Sequence, residues 1–402
     1  MKQRILFVED NPLLAEMYAM MLEGEQEHYV VATARDGEQA MELMAQKPFD
    51  VVVSDMGLPG MSGIELIDQL KRRYPGCCRI IISGLSDQQE VVRCLNTAHQ
   101  FLAKPFNVKE LKAILARIGA LDAFLADEAL KSLVSQLGTL PSFPSLYVEV
   151  MKELRVEEPS IERITDIVSR DPSMTAKLLQ IANSAALGLG RELSSPSEAV
   201  QYVGLGTVRS LALSVHIFSC FEQTRLEGFS IDSLWGHVVR TAAIARRLMQ
   251  LEGAEEAEAE EAYISGMLHD VGKLMLANSL PKEFQRVVVL AAGRPCTLHE
   301  AELEVLGVTH AGVAAYLLGL WGLPATIVEA VAFHHTPTCG HAGGFGALTA
   351  VHVGNVLEHE FFDSSPGTRK PDIDTAYLSR LGLQGRLDVW RTDAAALKLM
   401  TN

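Results

Sequence analysis

The chain has 402 residues, 48% hydrophobic and 21% charged, which allows two or three packed domains and excludes a disordered protein. Its 35 Lys and Arg against 50 Asp and Glu leave a net charge of −15, so no overall positive field attracts a phosphate backbone and no nucleic-acid partner is expected. The six cysteines show no CxxC pair and read as small apolar fillers in a reducing compartment. The apolar run Ile5-Leu6-Phe7-Val8 is cut off by Glu9 and Asp10 too early for a signal-peptide core, and no later stretch approaches membrane-spanning length, so a cytoplasmic chain without membrane contact is expected.

Up to about Ile118, short β-branched runs alternate with amphipathic stretches, the rhythm of an α/β unit. Strands are predicted at Arg4–Val8, Tyr29–Ala34, Val51–Ser54, Arg79–Ser83 and Gln100–Ala103. Val51-Val52-Val53 and Ile80-Ile81-Ile82 are apolar without alternation, as central parallel strands covered on both faces require. The chemistry of such a doubly wound sheet lies at the carboxyl ends of its strands, and the polar residues Glu9, Asp10, Asp55, Ser83 and Lys104 fall there.

Beyond Leu121 helical periodicity takes over. Leu121–Leu137 reads as a stiff helical connector, Ile161, Ile164, Ile167 and Val168 form one apolar stripe, and Met174, Leu178 and Ile181 form another. Asp171-Pro172-Ser173 marks a helix start. The glutamate-rich run Ala254–Ala262 reads as a solvated helix face, and Phe362–Pro371 as a loop before a short helical tail.

Three carboxylates gathered at strand ends repel one another unless a cation sits among them, and Mg2+, a hard ion that binds through one or two carboxylates, suits Glu9, Asp10 and Asp55. Lys104 and the Ser83 hydroxyl are of the right type to hold added phosphoryl oxygens. Val8-Glu9-Asp10, the stretch Asp55-Met56-Gly57-Leu58-Pro59-Gly60-Met61-Ser62-Gly63, Ser83-Gly84 and Lys104-Pro105-Phe106 stand in the order found in response-regulator receiver domains, which the first 120 residues or so resemble. The resemblance implies a flavodoxin-like five-stranded fold, a sensor histidine kinase as partner and Asp55 as phosphoryl acceptor. It also implies Mg2+ held by Glu9, Asp10, Asp55 and the Gly57 carbonyl, a switch hydroxyl at Ser83, a switching aromatic at Phe101 and a phosphate partner at Lys104, with pairing of two copies as in many receivers.

In the second half, His269-Asp270-Val271-Gly272-Lys273 follows an apolar helical stretch, with His237 before it and His310 and His334-His335 after it. Imidazole and carboxylate suit Zn2+, Mn2+ or Fe, but adjacent helical residues point about 100° apart, so the doublet needs ligands from other helices. Together with Leu140-Pro141-Ser142-Phe143-Pro144, Asp171-Pro172-Ser173-Met174, Ala182-Asn183-Ser184, Ser197-Glu198-Ala199-Val200 and Val203-Gly204-Leu205, these residues resemble HDOD, the regulatory offshoot of the His-Asp metal-dependent phosphohydrolases. That resemblance implies an all-α output domain that binds a partner protein or small ligand. The alternative it carries is a phosphorylation-gated phosphodiesterase or nucleotide phosphohydrolase using His237, His269, Asp270, His310, His334 and His335. Against turnover, Asn355 stands where relatives supply a final aspartate, and Thr336-Pro337-Thr338-Cys339-Gly340 lacks the glycine-tyrosine-proline signature of cyclic-di-GMP phosphodiesterases. Five imidazoles with one carboxylate also carry little charge for a pair of ions. His216, His299, His341, His352 and His359 are expected mostly to face solvent or cap helices. The expected organisation is a receiver over 1–120, a connector over 121–138, an output domain over 139–360 and a tail over 361–402.

Overall fold

The computed structural model describes residues 2–22, 28–74, 76–84 and 98–104, much of 106–118, residue 130, 145–169 apart from 155 and 157, 174–175, 178, 195–219, 226–320, 323–341, 343–362 and 369–401. Two compact units emerge, Met1–Ser145 with Tyr316–Leu323, and Leu146–Ala315 with Pro324–Asn402.

The first unit is built on five parallel strands, β1 (Gln3–Val8), β2 (Tyr29–Ala34), β3 (Val51–Asp55), β4 (Cys78–Gly84) and β5 (Gln100–Lys104), in the order β2-β1-β3-β4-β5. This is the flavodoxin-like winding, whose order reverses between β1 and β3 and opens a crevice at their carboxyl ends. The predicted strands are all present, four of them longer by one or two residues. Helices α1 (Pro12–Met20), α2 (Gly37–Gln46) and α3 (Gly63–Arg73) connect the early strands. Their starts follow from local chemistry. Asn11 caps α1 ahead of Pro12, Asp36 caps α2, and Ser62 with Glu65 forms a capping box on α3. The central runs Val51-Val52-Val53 and Ile80-Ile81-Ile82 are buried, and Val52 and Ile81 pack with Leu66, Ile67 and Leu70 of α3. Cys77 and Cys78 are buried there too, and burial pushes the Cys77 thiol up to about 12.

The second unit is helical: α4 (Ser145–Leu154), α5 (Ile161–Ser169), α6 (Pro196–Ser219), α7 (Ile231–Leu251), α8 (Glu256–Leu268), α9 (Val271–Ser279), α10 (Pro281–Gly293), α11 (Leu298–Leu306), α12 (His310–Leu320, whose last residues from Tyr316 group with the first unit), α13 (Ala325–Phe333), α14 (Ala347–Phe361), α15 (Thr375–Arg380) and α16 (Leu387–Thr401). The first apolar stripe is shorter than expected. Ile164, Ile167 and Val168 are buried, but Ile161 opens α5 and is exposed. In the glutamate run, Glu255, Glu256 and Glu258 are exposed as expected, whereas Glu260 is drawn into a salt bridge with Arg246 of α7. Helix α6 is broken at Gly204, whose φ of 82° suits glycine.

Helices α7, α8, α13 and α14 form the centre. Alanines 245, 259, 262, 330 and 350 let their backbones approach. The tail is part of this unit's core: Tyr377 and Trp390 are buried against Ile244, Leu248, Val353 and Leu357, and the Trp390 indole N–H donates to Glu252 at 2.8 Å. The predicted connector apart from Leu130, the start at Asp171-Pro172-Ser173, Leu140–Pro144 and Ala182-Asn183-Ser184 lie outside the described residues. Among the described residues, no single helix is long and apolar enough to cross a membrane.

Candidate functional site

In the first unit, Val8 pairs with Ser54 in the β1–β3 register, so the residues that follow them, Glu9 and Asp55, emerge side by side in the crevice. One oxygen from each of Glu9, Asp10 and Asp55 falls within 4.8 Å of the others. Glu9 is buried, Asp55 partly so, and Asp10 is exposed. Lys104, at the end of β5, places Nζ 3.0 Å from Asp55 Oδ1 and 3.2 Å from Glu9 Oε2. The Met56 backbone N–H donates to Asp55 Oδ1 at 2.9 Å. Burial and then the charge of Asp55 raise the Glu9 carboxyl, while Lys104 opposes them. Burial would lower Lys104, but Asp55 leads the contacts that raise it above its ordinary value. The donor set suits a hard cation: three carboxylates face one ammonium, and the site opens to solvent through Asp10. Gly57 follows in the exposed turn before α3. Ser83 and Phe101 lie in β4 and β5, but their side chains are outside the described residues.

In the second unit, all six predicted residues converge. His237 comes from α7, His269 ends α8, Asp270 caps α9, His310 starts α12, and His334-His335 follows α13. Packing at Gly272 permits this, since a Cβ there would lie 2.0 Å from the His310 carbonyl oxygen. Asp270 is fully buried between two sets of imidazoles. Its Oδ2 lies 3.3 Å from His237 Nε2 and 3.5 Å from His269 Nε2, and its Oδ1 lies 3.1 Å from His310 Nε2 and 3.8 Å from His334 Nε2. Lys273 Nζ approaches Oδ2 at 2.5 Å.

The outer nitrogens fix the tautomers. His269 Nδ1–H donates to the Gly266 carbonyl at 2.7 Å and His334 Nδ1–H to the Val331 carbonyl at 2.8 Å. His237 and His310 each donate Nδ1–H to a buried carboxylate, Glu358 and Glu302, at 2.6 Å. With the proton on Nδ1, each Nε2 presents a lone pair inward whenever its ring is neutral. Yet Nε2 of His237 lies 3.1 Å from that of His269, and Nε2 of His310 lies 3.4 Å from that of His334 and 3.2 Å from that of His335. Asp270 Oδ1 accepts no hydrogen bond while the His310 ring, whose Nε2 lies 3.1 Å away, is neutral. Inward lone pairs around an orphaned carboxylate oxygen repel one another unless protons or a cation intervene, and imidazole-rich sets with a carboxylate fit Zn2+, Mn2+ or Fe. Without metal, burial holds His269 down to about 3 and holds His334 and His335 well below the usual histidine range. Burial would also lower His237, but Glu358 and Asp270 outweigh it and raise the ring to about 9.

Glu302 and Glu358 are absent from the sequence reading, and they correct its charge argument. Three buried carboxylates, not one, serve the cluster. A signal for Glu358 exists: His352, Asn355 and Glu358 recur at threes in α14, and all are buried. Glu302 gives no such signal. The expectation for the remaining histidines is also corrected. His352 is buried, donating Nδ1–H to the His334 carbonyl at 2.8 Å and accepting the Asp374 N–H on Nε2 at 3.0 Å. His299 is half-buried, with its ring centroid 4.6 Å from that of His335, and His359 lies 4.7 Å from His237. His341 is exposed as expected, and the His216 side chain lies outside the described residues.

The family model of the response regulator receiver domain matches residues 5–116, and that of the HDOD domain matches residues 140–337. The DNA-binding response regulator MtrA of Mycolicibacterium smegmatis is 39% identical over 114 residues, 28% of this chain and 49% of that protein. A cyclic di-GMP phosphodiesterase of Thermotoga maritima is 33% identical over 109 residues, 27% of this chain and 28% of that protein. The chain thus spans half or less of the length of these curated relatives. An HDOD domain protein of unknown function from Geobacter sulfurreducens shares the fold at 22% identity and a TM-score of 0.56, covering 69% of this chain and 95% of that one. The chain therefore joins a receiver domain of the response-regulator family to an HDOD domain.

Proposed function

We propose that the chain is a phosphorelay response regulator whose receiver takes a phosphoryl group from a sensor histidine kinase onto Asp55 and whose helical domain delivers the output. The observation that carries this reading is the convergence of Glu9, Asp10, Asp55 and Lys104 at the β1–β3 crevice. In the transfer, an Asp55 oxygen bonds to phosphorus as the donor's phosphorus–nitrogen bond breaks. Mg2+ held by Glu9, Asp10, Asp55 and the Gly57 carbonyl would offset the repulsion between the two anions. Lys104 Nζ stands where it can hold an added phosphoryl oxygen, with the Ser83 hydroxyl as the second contact and Phe101 as the switching aromatic. The added charge, about −1.5 to −2, biases a two-state receiver. Incubation with an acyl-phosphate donor and Mg2+ is expected to label wild type and leave Asp55→Asn unlabelled; equal labelling of both would refute the assignment.

The helical domain, taken as 139–360 with the tail 361–402 sharing its core and the connector at 121–138 leading into it, is proposed to bind a partner protein or small ligand and to hold transition metal at its histidine cluster. The supporting feature is the inward set of Nε2 lone pairs around Asp270. A second reading is favoured by the same cluster. With Zn2+, Mn2+ or Fe bound by His237, His269, Asp270, His310, His334 and His335, the domain would polarise a phosphate ester for hydrolysis, with Lys273 as an additional charge near the phosphate. Metal analysis of protein purified without chelator, paired with a phosphodiester hydrolysis assay of His269→Ala, separates the two readings. Metal with hydrolysis lost in the variant supports the enzyme, and metal without hydrolysis supports the binding module. Cytoplasmic placement and pairing of two receivers complete the proposal.

A further inference from the structure

We infer that Glu302 and Glu358 are positioning residues that give the histidine cluster two unequal cation positions, a tight one backed by Glu302 and a looser one backed by Glu358. This rests on reading the cluster as a metal centre and adds which residues set the strength of each half. Asp270 divides the cluster. Its Oδ1 faces His310 and His334, and one ligand atom from each of Asp270, His310, His334 and His335 lies within 4.8 Å of the others. Its Oδ2 faces His237 and His269, a set of three.

Three independent differences point the same way. The first is ligand number, four against three. The second is competition, because Lys273 Nζ sits 2.5 Å from Oδ2 and draws on the oxygen that serves the smaller set. The third is the carboxylate behind each set. Glu302 is fully buried, and one of its oxygens accepts both the Nδ1–H and the backbone N–H of His310, at 2.6 and 2.9 Å. Among the described residues its only ion-pair partner is that histidine, and its other oxygen has no hydrogen-bond partner, so its charge is directed into the His310 ring. Glu358 is shared. Its Oε2 takes the His237 proton at 2.6 Å, while its Oε1 is held by Arg240 Nε at 2.7 Å and Nη2 at 2.6 Å. The guanidinium offsets charge that would otherwise strengthen His237 as a ligand. A carboxylate hydrogen-bonded to a ligating imidazole raises its basicity and fixes its orientation, and losing such a partner costs about 10- to 100-fold in metal affinity.

The test is Co2+ titration of the chelator-stripped full-length chain, followed by visible absorption and by bound stoichiometry after gel filtration. Wild type is expected to take up two equivalents of unequal affinity. Glu302→Gln weakens the tighter equivalent by about 10- to 100-fold and spares the other, and Glu358→Gln weakens only the looser one. Arg240→Met, at a partly exposed position that donates no ligand, tightens the looser equivalent and so keeps the inference testable if a glutamate variant folds poorly. Weakening of the same equivalent by both glutamine variants, or of the looser one by Arg240→Met, overturns the inference while leaving a metal centre in place. A wild-type chain that takes up no cobalt overturns the metal reading itself.

Discussion

The receiver pocket and the histidine cluster are both arrangements of like-charged or lone-pair-bearing groups that need a cation, yet they are built in opposite ways. The pocket sits at strand ends, gathers its carboxylates from two adjacent turns and stays open to water at Asp10. The cluster draws six residues from five helical segments and is almost wholly closed: Asp270, His269, His310 and His334 are 0% exposed. Open carboxylates suit a hard ion that exchanges with solvent, while buried imidazoles braced from behind suit a resident ion of borderline softness. One is a site for exchange, and the other is a site for retention.

The sharpest separation comes from the two aspartates. Asp270→Asn removes the only carboxylate between the two imidazole sets and is expected to abolish transition-metal retention while leaving acyl-phosphate labelling of Asp55 intact. Asp55→Asn is expected to give the mirror result. Elemental analysis and labelling on the same preparations check both, and loss of both properties in either variant would mean that the two centres do not act separately.

The second test concerns the tail. Trp390→Ala empties a fully buried site in the core that braces α7 and α14 and is expected to cost about 3–5 kcal/mol in urea unfolding of the helical unit. If the tail were merely appended, the loss would be under 1 kcal/mol, the usual range for surface positions.

A third test uses protons in place of metal. In stripped protein, His237 is raised to about 9 by Glu358 and Asp270 against the effect of burial. Its protonated form contributes stability that is fully present below its unfolded pKa of about 6.5 and is lost as pH rises through about 9, a change of about 3 kcal/mol. His269, lowered to about 3, has the opposite sign and acts below pH 6.5, whereas His310, raised above its ordinary value by Glu302 and Asp270 against burial, adds to the loss in the upper window with the same sign as His237. Denaturation of stripped protein at pH 6.5 and 9.5 measures the loss; saturating metal, which competes with the same proton, is expected to suppress it. The smallest effect belongs to the surface pair Arg247–Asp393, where Asp393→Asn is expected to change stability by about 0.2–1 kcal/mol in the same assay.

The legibility of the two regions differs for a physical reason. Parallel strands buried on both faces must be continuously apolar, so Val51-Val52-Val53 and Ile80-Ile81-Ile82 announce a sheet, and the polar residues that follow the strands announce its crevice. The clustered histidines are also visible, because imidazole beside aspartate is unusual in an apolar helix. What the sequence hid were the groups behind them. Glu302 is buried where α11 meets α12 at 82°, and nothing within the nine residues of α11 distinguishes it from the exposed Glu300 and Glu304. The tail reads from sequence only as a loop and a short helical segment, because its apolar residues, from Tyr377 to Leu397, gain meaning only against α7 and α14.

His352 ties the tail to the histidine cluster. Its ring takes a backbone proton from Asp374 on one side and gives one to the His334 carbonyl on the other. The tail is thereby strung to the backbone of a ligand histidine through a single rigid ring. Displacing the segment ahead of α15 would break a contact with the backbone that carries His334, so the carboxyl-terminal helices form part of the scaffold under the buried cluster.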